Sequence, residues 1–295
     1  MIGIIILNYN SFKDTIKLVS DLQNQTVCGD MRIIVVDNNS PNNSYRQLKP
    51  LEHSYNNVIV LQTGANLGYA RGNNFGLMYL DKNVKPEYVA ILNNDLVLPE
   101  NSFEVLMKKY NLLESPAFIA PKQVNSNNKE LLPYPLNSFL DDCLSLFFIT
   151  KLFHKHRALS YQDTTGFNAM QVELIPGSYM FSRFETFKNI GFFYPNTFLY
   201  VEERFVATRA SKLGLKNYIL LDQSYIHEQS KTINSVFSQV EKFRLLYEGW
   251  LIFTLECRPY GKIKAAILNP LMKLSLLEMR FVFGIQHFIK KIIVK

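Results

Sequence analysis

The first 121 residues alternate between two hydrophobic periods. Short apolar runs at residues 2–7, 33–36, 58–61 and 88–92 have the length and β-branched content of buried strands. Between them, residues 11–24, 70–80 and 101–113 carry apolar side chains at helical spacing. Such alternation predicts right-handed βαβ units on a parallel sheet. Residues 123–170 break the regularity: Asn- and Pro-rich loops enclose an apolar segment at 139–148, the profile of a lid or binding insertion. Regular structure is expected to resume over 172–181, then in a helix over 183–190 and in a helix opened by Glu202 and Glu203 that runs to Leu213. A strand over 217–221 is expected to lead to Tyr225, Ile226 and His227. From Ser235 onward the pattern is helical, with a break at Arg258-Pro259-Tyr260-Gly261.

Hydrogen-bonding side chains follow each early strand: Asn8-Tyr9-Asn10, Asp37-Asn38-Asn39-Ser40, Asn66-Leu67-Gly68 and Asn93-Asn94-Asp95. In open α/β sheets ligands gather beyond the carboxyl ends of parallel strands, so the four clusters read as one ligand rim; taken singly, each also serves as a turn or a helix cap. Asp95 among amides suits a hard divalent cation, Mn²⁺ or Mg²⁺, whose shell is shared with substrate phosphates, with Asn93 ligating or orienting. Residues 68–74 put small side chains and Arg71 where a loop enters a helix, a geometry that receives a base or phosphate closely. Their spacing is not that of a dinucleotide fingerprint, and the first βα turn, Asn8 to Ser11, contains no glycine, which disfavours an NAD-linked oxidoreductase. Glu202 and Glu203 either complement a helix dipole or, behind the aromatic approach Phe198-Leu199-Tyr200-Val201, supply a carboxylate raised toward the working range of a general base. His227 is either a structural histidine or a third metal ligand.

With 47% hydrophobic residues, 295 residues suffice for a sizeable core. The net charge of +7 resides in the tail, where Arg258 to Lys295 holds eight lysines and arginines against Glu278 alone. The near-neutral remainder excludes a body-wide nucleic-acid footprint. Cys28, Cys143 and Cys257 lack the spacing of a metal knuckle or disulfide framework, which fits a reducing cytoplasm. Asn8 cuts the first apolar run before a signal-peptide core forms, and no run approaches the ~20 apolar residues of a membrane span. In the tail, Ile263, Ile267, Leu271, Leu274, Leu277, Phe281, Phe288 and Ile292 recur at helical spacing among the cations. This stripe either packs on the domain or lies at an anionic membrane surface.

Six segments, Asn8-Tyr9-Asn10, Val35-Val36-Asp37-Asn38-Asn39-Ser40, Asn66 to Asn74, Leu92-Asn93-Asn94-Asp95, Pro176-Gly177-Ser178-Tyr179-Met180 and Tyr200-Val201-Glu202-Glu203, occur in the order seen in family-2 inverting glycosyltransferases. Over residues 2–231 the chain resembles the rhamnosyltransferase-like members that build bacterial surface polysaccharides. The resemblance implies the GT-A fold, an α/β fold with a Rossmann-like, mostly parallel sheet flanked by helices. A nucleotide-binding half (1–121) and an acceptor-binding half (122–234) then make up a catalytic domain over 1–234, and 235–295 form a helical, basic amphipathic extension. By position it makes Asp37 and Arg71 contacts to the nucleobase, with Asn8, Asn10, Asn66 and Asn94 shaping the nucleotide pocket. Asp95 matches the last acid of the family's metal motif, Asn93 replaces its first acid, and His227 matches a late histidine that reaches the metal. Gly177 and Ser178 face donor sugar or acceptor, and Glu203, beside Glu202, holds the position of the catalytic acid. Phe205 stands where the pattern commonly continues with Asp, and Glu203 is one methylene longer than the usual Asp. A Gln-x-x-Arg-Trp motif of processive synthases is absent, which implies single addition. The expected activity is metal-dependent, inverting transfer of one sugar from a nucleoside diphosphate to an acceptor hydroxyl. The acceptor is expected to be a lipid-linked saccharide at the cytoplasmic face of the membrane; the alternative is a degenerate homologue that binds nucleotide or glycan without turnover.

Overall fold

The four early apolar runs become parallel strands: β1 (Ile2–Asn8), β2 (Met31–Asp37), β3 (Val58–Gln62) and β4 (Tyr88–Leu92). They stand in the order β3-β2-β1-β4. In the computed structural model, residues 1–147, 150, 158–228 and 238–293 are described, with backbone alone over 285–293. The expected 234/235 boundary, Lys231, Phe148 and the side chains of Phe288 and Ile292 lie outside the described residues. Helices α1 (Phe12–Leu22), α2 (Ser44–Leu48), α3 (Leu51–Ser54), α4 (Gly68–Asn83) and α5 (Ser102–Tyr110) complete this half. Apolar side chains from alternate strand positions enter separate clusters on the two faces of the sheet: Ile4, Ile33 and Ala90 on one, Ile5, Ile34 and Ile91 on the other. That two-sided burial is why these strands read as continuous apolar runs. The register aligns Asn8 with Asp37 and Asp37 with Gln62, so the polar strand ends share one level.

Beyond β4 the sheet mixes directions. The remaining strands are β5 (Leu96–Val97), β6 (Pro116–Val124), β7 (Ala169–Val172), β8 (Tyr179–Arg183) and β9 (Lys216–His227), and the order continues β4-β8-β6-β9-β5, with β7 paired to β9. β8 is antiparallel to β4, and β6 runs parallel to β9. The run expected over 172–181 is therefore two strands in different places. Pro176 lacks an N–H, and the chain turns there, with Tyr179 N donating to Pro176 O at 3.3 Å. Conversely, 217–221 and 225–227 join into one strand that absorbs extra residues where its register with β6 shifts.

The remaining helices are α6 (Phe139–Leu144), opened by a reciprocal Ser138–Asp141 cap, α7 (Phe184–Ile190), α8 (Glu202–Lys212), α9 (Gln239–Cys257) and α10 (Gly261–Ile293). A third apolar cluster joins α8 to the last two helices through Phe205, Trp250, Phe253, Leu268 and Met272. In α10, Ala265, Leu268, Met272, Ser275 and Met279 are buried, while Ile263, Ile267, Leu274, Leu277 and Phe281 are exposed. The tail stripe is thus split: Leu271 is partly buried against the third cluster, and the five other described positions form a second apolar face turned to solvent. Among the described residues, no helix is long and apolar enough to cross a membrane.

Candidate active site

Asp37 is the hub of the first half of the rim. It is fully buried, and its Oδ1 accepts from Asn8 Nδ2 (2.7 Å) and Ser40 Oγ (2.6 Å), its Oδ2 from Ser40 N (3.1 Å) and Gln62 Nε2 (3.3 Å). Ser40 Oγ in turn accepts from Asn10 N at 2.9 Å, so the two strand-end loops are tied together. Asn38 orders the next turn: its Oδ1 accepts from Leu67 N (3.0 Å), and its Nδ2 donates to Asn66 Oδ1 (3.0 Å) and Gly68 O (3.2 Å). Asn94 Nδ2 donates to Ser11 Oγ (2.7 Å) and Thr15 Oγ1 (2.9 Å), fixing β4's end to the start of α1. Arg71 projects from the exposed side of the first turn of α4.

Gly68 joins this rim to the other half of the molecule. It has φ +77°, and a Cβ there would lie 2.2 Å from Phe198 O, so only glycine permits the approach that lets Tyr69 N donate to Phe198 O at 2.7 Å. Tyr69 OH donates to Gly177 O at 2.7 Å, and Asn74 holds Phe193 through both its backbone N–H and C=O.

Asp95 and His227 meet because β5 pairs with the end of β9: Leu96 lies opposite His227, and Glu228 N donates to Asp95 O at 3.0 Å. Asp95 Oδ1 stands 3.1 Å from His227 Nε2, a buried nitrogen that makes no hydrogen bond. Two neighbouring ligands of an octahedral ion, each about 2.1 Å from it, lie about 3.0 Å apart. The pair therefore fits a hard divalent cation, and diphosphate oxygens and water would complete the shell. Asn93 is two residues away, its N–H donating to Ser178 O at 2.9 Å. Among the described residues, no cluster of three or more His, Cys, Asp or Glu side chains forms a ready-made cage. His227 Nδ1 shares a 2.8 Å hydrogen bond with the Gln123 side-chain amide, which also accepts from Tyr225 OH (3.2 Å); Tyr225 OH lies 2.7 Å from Ser178 Oγ.

The carboxylate pair opens α8 immediately after two left-handed residues, Tyr200 (φ 74°) and Val201 (φ 73°). Glu202 is buried, its Oε1 without a hydrogen bond. Burial pushes the Glu202 carboxyl well above its ordinary range, and the neighbouring Glu203 charge pushes it further. Burial also raises Glu203, opposed by its backbone hydrogen bond and by the adjacent Arg204 guanidinium, which both favour the ionised form. Glu203 lines a cavity of about 570 Å³ together with Gln123, Tyr134, Ile175, Pro176 and Gly177. A Cβ on Gly177 would sit 3.9 Å from Glu203 Oε2. Gly177 and Ser178 thus bridge the two sides of the site: the first borders the Glu203 carboxylate, and the second holds Asn93 and reaches Tyr225.

The individual roles of Asn38, Ser40, Gln123 and Tyr225 emerge only from the geometry. The first two sit inside a polar cluster that already stands out, and Tyr225 precedes His227 by two residues, the strand period that shares a face. Gln123 carries no local signal, since its partners come from the far end of β9.

Comparison with known proteins places this geometry in a lineage. The family described as "Glycosyl transferase family 2" matches residues 3–175. The low-salt glycan biosynthesis hexosyltransferase Agl10 of Haloferax volcanii is 28% identical over 204 residues, covering 68% of this chain and 59% of that protein. The chain thus spans less than two thirds of the length of this curated relative. Among solved structures, S. aureus TarS 1-349 in complex with UDP-GlcNAc superposes with a TM-score of 0.54 at 16% identity, covering 92% of this chain and 71% of that one. GalNAc-T7 with UDP, GalNAc and Mn²⁺ superposes with a TM-score of 0.59 at 13% identity, covering 93% and 55%. These likenesses establish the fold as GT-A.

Proposed function

Because the chain belongs to glycosyl transferase family 2, we propose that it transfers a single sugar from a nucleoside diphosphate to an acceptor hydroxyl with inversion. The observation that carries this reading is the Gly177–Ser178 turn, with the Asp95–His227 pair on one side and a half-buried, cavity-lining Glu203 on the other. Glu203 takes the acceptor's hydroxyl proton as the acceptor oxygen bonds to the anomeric carbon from the face opposite the diphosphate. The glycosidic bond to the diphosphate breaks in the same event, through an oxocarbenium-like state. Asp95, His227 and Asn93 would hold Mn²⁺ or Mg²⁺, which when bound offsets charge on the departing diphosphate. Asn8, Asn10, Asp37, Asn66, Arg71 and Asn94 shape the nucleotide end. Support for a nucleotide-sugar donor comes from the UDP-GlcNAc complex of TarS, and for a hexosyl class from the name of Agl10.

A panel of UDP-, dTDP- and GDP-sugars with and without Mn²⁺ tests the reading by melting temperature. One nucleoside diphosphate sugar should raise it in a Mn²⁺-dependent manner, by mass action on the folded state. A chain that responds to none of them is not a nucleotide-sugar enzyme, and one that responds but neither transfers nor hydrolyses the sugar is the non-catalytic binder.

The acceptor in this reading is a lipid-linked saccharide of surface-polysaccharide synthesis, met at the cytoplasmic face of the membrane. The second apolar face of α10 supports it. Exposed Lys262, Lys273 and Arg280 line one edge of the exposed Ile263, Ile267, Leu274, Leu277 and Phe281, so cations border an apolar stripe whose opposite face is already packed. Each cation near an anionic surface contributes about 1 kcal/mol. In flotation, the full chain should follow anionic vesicles at low salt and lose them at high salt. A Lys262→Glu/Lys273→Glu/Arg280→Glu variant that floats like the parent would sink the membrane reading.

A further inference from the structure

The acid turn is an unfavourable piece of backbone. Tyr200 and Val201 are consecutive non-glycine residues at positive φ, and a β-branched residue is least suited to that region. Such conformations persist only where the surroundings over-determine them. Three sets of contacts, each including a residue of the C-terminal helices, supply the constraint. Gly249 of α9 presses on the turn so closely that a Cβ there would lie 2.9 Å from Val201 Cγ2 and 3.4 Å from Tyr200 O. Phe205, one turn into α8, stacks on Tyr194 at 4.4 Å and meets Phe253 of α9 edge-on at 5.2 Å. Arg204, next to Glu203, lies over Trp250 at 5.1 Å and donates to Asp142 Oδ1 at 2.9 Å. Asp142 is buried, and its other oxygen is held by Arg258, which sits between α9 and α10. One carboxylate therefore ties the 139–144 helix, the acid helix and the junction of the last two helices together.

We propose that the C-terminal helical pair is a clamp on the acid turn, with Gly249 and Arg258 as positioning residues that hold Tyr200–Val201 left-handed and thereby set where the Glu203 carboxylate lies. The importance of that carboxylate rests on the proposed function; the clamp itself does not. It also accounts for Phe205, which faces the C-terminal helices rather than the cavity.

Gly249→Ala separates the clamp from a merely structural role, because alanine in a helix interior is intrinsically better than glycine and on that ground alone would stabilise α9. Hydrogen exchange of the amides over 199–206 is expected to quicken about tenfold in Gly249→Ala while the melting temperature holds or rises. Arg258→Met, which opens the clamp from its other arm, should quicken the same amides. In a Val201→Gly chain, which accepts positive φ freely and lacks the methyl that is struck, adding Gly249→Ala should change nothing further. On the donor selected by the melting panel, Gly249→Ala should lower kcat with KM for donor unchanged, since the nucleotide rim lies on other elements. Parental exchange over 199–206 in both Gly249→Ala and Arg258→Met overturns the clamp even if Glu203→Gln abolishes transfer. Full transfer by Glu203→Gln overturns the base assignment and leaves the exchange result to decide the clamp.

Discussion

Replacing Glu203 by glutamine is expected to lower sugar transfer by roughly two to four orders of magnitude, with donor affinity retained. The substitution keeps the side chain's shape and its place against Gly177 but removes the group that accepts the acceptor's proton. Steady-state transfer and donor titration, measured on the same preparation, check both halves of the statement. The pH profile adds a second reading. Only the ionised carboxylate is a base, and burial raises the pH at which Glu203 ionises, so the parental rate should climb with pH through a value above the ordinary 4.5 of a glutamate. In Glu203→Gln that rising limb should vanish. A variant that keeps most of its rate, or keeps the limb, would move the role to Glu202.

Asp95→Ala is the second large effect, expected to abolish the Mn²⁺-dependent part of donor binding and to cost transfer roughly three orders of magnitude. The fold should survive, because the side chain lies on the rim and the backbone links from this segment to β9 remain without it: Leu96 pairs with His227, and Asp95 O accepts from Glu228 N. Mn²⁺ titration followed by electron paramagnetic resonance, with and without nucleoside diphosphate, reads the site independently of turnover. Parental Mn²⁺ affinity in Asp95→Ala would show that the cation, if any, is held elsewhere.

The parallel half of the sheet was legible because its strands are buried on both faces, so their apolar runs end sharply where the polar rim begins. The rim residues stood out for the same reason, and the register of β1, β2 and β3 brings Asn8, Asp37 and Gln62 side by side. What escaped was long-range. Residues 172–181 are mostly apolar, and although Pro176-Gly177 marks a turn, nothing local tells that β8 inserts between β4 and β6. Asp95 and His227 carry the chemistry of ligands in the sequence, but their 3.1 Å approach depends on a two-residue pairing between distant segments. Phe205 looked like a gap in an acidic motif; its meaning lies in Phe253, a helix away in sequence and in contact in space.

The antiparallel strand β8 has a consequence for how the chain folds. β1 to β4 are made first and are joined by short crossovers, so they can pair as soon as they are synthesised. The outer edge of β4, apolar and buried in the finished molecule, has no partner until Arg183 has been made, because its neighbour is Tyr179–Arg183 and not the next strand in sequence. During that interval the nascent nucleotide half presents an open row of peptide groups flanked by Val89 and Ile91, the kind of edge that pairs with other chains. Chains cut between β6 and β8 should therefore aggregate through β4, whereas chains that include β8 close the edge from within.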